Sequence, residues 1–81
     1  MTDDERLAAA DLPATLVTLG DCRKAGYCAA GVQRWWPRQA MPVGFNAFVR
    51  DGLSADVFMA GGDALARRTV IRKLEREADH G

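Results

Sequence analysis

The chain reads as an all-α protein: a compact bundle of four to five short helices, with room in it for a helix-turn-helix. Three observations predict this. No stretch alternates apolar and polar residues for long enough to make a half-buried strand, and the one β-prone run, Thr15 to Leu19, is short. Apolar residues recur instead at helical spacing, most clearly Ala66, Val70, Leu74 and Ala78. Pro13, Gly26, Pro37, Gly52 and the pair Gly61–Gly62 then divide the chain into pieces that suit short helices.

The elements follow in order. Residues 1–13 make an N-terminal arm in which Thr2 precedes Asp3, Asp4 and Glu5. Carboxylates suit the positive end of a helix dipole, and the alanines at 8–10 suit the turns after it. Leu7 and Leu12 alone offer apolar bulk, so a mobile or loosely docked arm is expected, ending at Pro13. One helical domain is expected over residues 14–78. Thr18 or Asp21 caps a helix from about Leu19 to Ala25, and Gly26 ends it. Tyr27 and Cys28 lead into a second helix, Ala29 to Trp36, whose apolar face is Val32, Trp35 and Trp36; Pro37 sets its limit. Residues 38–44 are a loop holding Met41 and Pro42. Phe45, Phe48 and Val49 share a helical face that Gly52 stops. Ser54 caps a short turn through Val57 and Phe58. Asp63 caps the last and longest helix, Ala64 to about Ala78, and residues 79–81 fray. The expected core is Leu19, Val32, Trp35, Phe45, Phe48, Val49, Phe58, Leu65, Val70 and Leu74.

With 81 residues the chain has length for one domain, a thin core and few residues to wall a catalytic pocket. The formal charge is zero, from 11 basic and 11 acidic side chains, so total charge points neither to nucleic acid nor to a membrane. The distribution is uneven. Residues 1–21 carry a net −4, residues 22–50 a net +5 with no acid at all, residues 51–63 a net −3 and residues 64–81 a net +2. Such segregation can present a basic face on a neutral chain. No apolar run approaches a membrane span, and the acidic opening is unlike a signal peptide. Cys22 and Cys28 are therefore expected as free thiols in a reducing, cytoplasmic compartment. A zinc site needs about four ligands. His80 is the single histidine, so neither a metal nor another cofactor is expected.

Three constellations could carry function. The helices around Gly26 have the outline of a helix-turn-helix. Its reading helix would offer Gln33 to adenine and Arg34 to guanine, with Arg38 beyond and Arg23 and Lys24 on phosphates. The plainer reading of these side chains is a solvated face. The second is the pair Trp35 and Trp36. Neighbours on a helix point about 100° apart, so one tryptophan is expected in the core and the other at a surface. Arg34, Trp36, Arg38 and Met41 would then form an interface patch, since exposed Trp and Arg anchor protein complexes. The plainer reading is that both rings close the core against Phe45, Phe48 and Phe58. The third is the last helix, where Arg68 and Arg72, with Arg67, Lys73 and Arg76, could dock on an acidic partner. Interleaved Glu75, Glu77 and Asp79 make ordinary surface pairing the plainer reading. No enzyme is expected. Ser54 and the cysteines lack a histidine at a plausible base position, and Asp51, Asp56 and Asp63 read as capping and loop residues. Gly61–Gly62 lacks the lysine of a phosphate loop.

Residues 18–35, from Thr18-Leu-Gly-Asp-Cys through Gly26-Tyr-Cys to Gln33-Arg-Trp, resemble the opening of small proteins encoded by tailed bacteriophages and prophages. Phe48-Val-Arg-Asp-Gly-Leu-Ser-Ala and Gly62-Asp-Ala-Leu-Ala resemble their second half. The resemblance covers about residues 18–71, leaves both tails outside and departs at the loop Pro37 to Gly44. It brings no activity and no site residue; it implies a phage-type accessory protein. The expected function is stoichiometric protein–protein binding, as a virion assembly component or an inhibitor of a host protein. The alternative is a helix-turn-helix DNA-binding regulator. On the first reading, Trp36→Ala weakens the partner complex and spares the fold; a variant that unfolds assigns Trp36 to the core.

Overall fold

The computed structural model describes residues 1–80, with side chains through residue 79. Six α-helices follow one another: α1 (Asp3–Ala9), α2 (Leu19–Lys24), α3 (Ala29–Trp35), α4 (Phe45–Asp51), α5 (Ala55–Phe58) and α6 (Ala64–His80). Between them β1 (Leu16–Val17) pairs antiparallel with β2 (Leu53–Ser54). The fold is therefore mostly helical but not purely all-α. The run Thr15 to Leu19 is too short to show alternation, yet it finds a partner far along the chain. Leu16 faces Ser54, Val17 faces Leu53, and Ala55 N–H donates to Thr15 O at 2.8 Å. Gly52 makes this pairing possible. Its φ is +75°, and a Cβ there would stand 2.9 Å from the Val17 carbonyl oxygen. No helix among the described residues is long and apolar enough to cross a membrane.

Local chemistry sets α2. Thr18 Oγ1 accepts from Asp21 N–H at 3.3 Å while Asp21 Oδ2 accepts from Thr18 N–H at 2.8 Å, a reciprocal capping box. At the other end Gly26, with φ +102°, turns the chain so that Tyr27 N–H reaches Cys22 O at 3.1 Å. Asp21 is itself buried, 6% exposed, and takes two cations from α6: Arg76 Nη2 at 2.8 Å and Lys73 Nζ at 3.2 Å. Lys73 and Arg76, expected among the cations of an outer face, thus tie α6 to α2. The last helix also runs past Ala78 to His80; of the expected frayed tail, Gly81 lies outside the described residues.

The arm is helical, in keeping with its acids and alanines. Thr2 caps α1 by accepting from Glu5 N–H, and Asp4 pairs with Arg67 of α6 at 2.8 Å. No residue of α1 is buried, and Leu7 is its side chain packed on the core.

The core is aromatic. Trp36 stacks on Phe48 with centroids 4.5 Å apart, and Phe48 on Phe58 at 5.6 Å. Val17, Cys22, Val32, Ala55, Ala66 and Val70 complete it. Two expectations are overturned here. Trp36, expected at the surface, is 4% exposed, and its indole N–H donates to Val43 O at 2.9 Å. Helical geometry explains the exchange: Val32 and Trp36, four residues apart, share the inward line, and Trp35 falls to its edge. Val49, expected in the core, is 46% exposed because Phe45 and Phe48 already turn the inner face of the two-turn α4 toward Trp36. Thr69 was not anticipated; it is fully buried, and its hydroxyl has no hydrogen-bond partner.

Two expectations follow. Trp36→Ala should lower unfolding free energy by about 3–5 kcal/mol, the usual cost of deleting a buried tryptophan. Urea denaturation checks this, and an unchanged midpoint would return Trp36 to the surface. Burial alone would raise the pKa of Asp21, but the Thr18 N–H, the Lys73 ammonium and the Thr18 hydroxyl outweigh it and hold the carboxyl below its ordinary 3.8. A depressed pKa contributes stability above the unfolded value and loses it as pH falls through the folded one. Asp21→Asn should therefore be destabilised by about 3 kcal/mol at neutral pH and lose less on acidification than the parent, read as melting temperature against pH.

Candidate functional site

The helices α2 and α3 are joined by the turn Ala25–Cys28, and Cys28 caps α3 by accepting from Gly31 N–H at 3.3 Å. Val32 and Trp36 anchor the inner side of α3. The outer side therefore presents Gln33 and Arg34, with Arg38 in the tight turn Trp36–Arg38 that follows and Arg23 and Lys24 in the last turn of α2. All five side chains are exposed, and none of the four cations has an ion-pair partner among the described residues. Arg50, the remaining cation of this acid-free stretch, is bound twice over by its neighbour Asp51. Gln33 also borders a shallow hollow of about 430 Å³ whose other walls include Trp36, Phe45 and Asn46.

The expected interface patch of Arg34, Trp36, Arg38 and Met41 does not assemble. Trp36 lies inside. Met41 is half-buried and lines a separate hollow of about 150 Å³ with Gln39, Val57 and Gly61. Pro37 causes the separation: the chain leaves its helix there, and residues 39–44 fold back so that Val43 meets the Trp36 indole. Arg68 and Arg72 stand elsewhere again, in an open cleft of about 510 Å³ shared with Arg67, Ile71 and Tyr27.

Sequence reasoning missed Tyr27 and Asn46 as site residues. In the sequence Tyr27 is a connector, because nothing local links it to residues forty positions later. The signal for the cleft was present: 64, 67, 68, 71, 72 and 75 trace one helical line, opposite the line of Ala66, Val70 and Lys73. Among the described residues no three of His, Cys, Asp and Glu gather as a metal-binding set.

The two thiols differ sharply. Burial pushes the Cys22 thiol up to about 11. Cys28 is exposed at the start of α3.

No family model, curated protein or solved structure matches this chain.

The thiol contrast is measurable. At neutral pH one equivalent of a thiol reagent should react promptly at Cys28, and the second only on unfolding. Two equal fast phases would contradict the burial of Cys22.

Proposed function

We propose that the chain is a DNA-binding accessory protein in which α2 and α3 act as a helix-turn-helix, α3 entering the major groove. The observation that carries this is the outer side of α2 and α3. Four exposed cations without ion-pair partners among the described residues, Arg23, Lys24, Arg34 and Arg38, flank Gln33 along the chain, in a stretch free of acids. On a chain of zero net charge, leaving those four cations unpaired while Arg50, Arg67, Arg72, Lys73 and Arg76 are paired creates a local positive surface.

The division of labour follows from position. Arg23 and Lys24, at the end of α2, hold phosphates and set the register of docking. Arg34 makes the bidentate pair that favours guanine, and Gln33 the pair that favours adenine. Val32 and Trp36 fix the rotation of α3, because turning it would withdraw a tryptophan from its stack on Phe48. The helix has seven residues, about 10 Å at 1.5 Å per residue, and so spans only a few base pairs. A single copy reads a short half-site, and specificity calls for two copies on adjacent half-sites. The competing idea, a stoichiometric protein partner gripped by Trp36, loses its anchor to the core.

Selection from a random duplex library, followed by fluorescence anisotropy on the enriched duplex, tests the proposal. Arg34→Ala should cost about 1–3 kcal/mol and relax preference at one base position, while Lys24→Ala should weaken all duplexes alike and lower the salt slope by about 1. A library with no enrichment, or binding indifferent to Gln33→Ala and Arg34→Ala together, would sink it.

A further inference from the structure

We propose that the cleft between α1 and α6 is a second phosphate-binding site for the same DNA, and that Asp4, paired with Arg67 outside the cleft, competes with phosphate for that arginine in the free protein. This rests on the DNA-binding reading above. Arg67, Arg68 and Arg72 all open into the cleft beside Tyr27, with Ile71 as an apolar floor. Guanidinium groups suit phosphate oxygens, and a tyrosine hydroxyl can donate a further bond.

Place and occupancy favour this. Tyr27 sits in the turn between α2 and α3, next to Cys28, the cap of α3. The cleft thus borders the N-terminal end of α3, the end that approaches bases in a helix-turn-helix complex. Of the arginines that line the cleft, Arg67 is held by the exposed Asp4 at 2.8 Å, Arg72 loosely by Glu75 at 3.8 Å, and Arg68 has no ion-pair partner among the described residues.

The arm is poorly secured. The Asp4 side chain is 86% exposed, so its pair with Arg67 stands in water, where such pairs are weak and screened by salt. α1 buries no residue. When it swings aside, Asp3 and Asp4 leave together, and three arginines face Glu75 alone. A phosphate diester then replaces one carboxylate with a stronger and better-matched acceptor.

The test uses the full chain and the selected duplex, with anisotropy titrations over a series of salt concentrations. Asp4→Asn should tighten binding about fivefold at low salt, the upper worth of an exposed pair. Arg68→Ala should weaken it and reduce the log–log salt slope by about 0.9. If the parent binds through Gln33 and Arg34 but neither cleft variant changes affinity or slope, the second site is refuted and the helix-turn-helix stands. If the cleft variants act while Gln33→Ala and Arg34→Ala do not, the cleft stands and the helix-turn-helix falls. If neither the parent nor Asp4→Asn binds duplex, both are overturned.

Discussion

Asp21 is the point on which the arrangement depends. One buried carboxylate closes the capping box that starts α2 and receives Lys73 and Arg76 from the far end of the chain. A carboxylate taken out of water is costly unless it is paired and hydrogen-bonded, and here four donors serve it: the Thr18 N–H and hydroxyl and the two cations. Desolvation fixes the geometry, because any slip of α6 along α2 would strand a charge. Val70 and Ala66 are thereby held in one core with Cys22 and the aromatic stack.

With α2 so placed, α3 has one rotation left to it. Its inner line is spent on Val32 and Trp36, so the polar residues must face out together. A helix this short has little intrinsic stability and exists because of what it buries. The aromatic core therefore does two things at once. It stabilises the domain, and it sets the direction in which Gln33 and Arg34 point.

Much of the fold was legible along the chain. Thr18, Gly26, Gly52 and Asp63 end or begin helices where their backbone chemistry says they should, because capping is a local matter. The contribution of Trp36 was not legible. Two adjacent tryptophans before a proline fit either assignment, and the choice is made by Val43 and Phe48, which come from other elements. The ribbon of β1 and β2 was hidden for the same reason: two residues cannot show a period, and their pairing spans more than thirty positions. The cations of α6 looked alike in sequence. Packing alone separates Lys73 and Arg76, which serve Asp21, from Arg67, Arg68 and Arg72, which face the arm.

Asp63 has a role that reaches past its own helix. Its Oδ2 accepts both the Leu65 N–H at 2.8 Å, at the start of α6, and the Trp35 indole N–H at 2.9 Å, at the end of α3. One oxygen atom thus rivets the two helices together at their ends. The rivet also carries its own lamp: the Trp35 indole, half-buried and bonded to a carboxylate, will shift its emission whenever the two helices part.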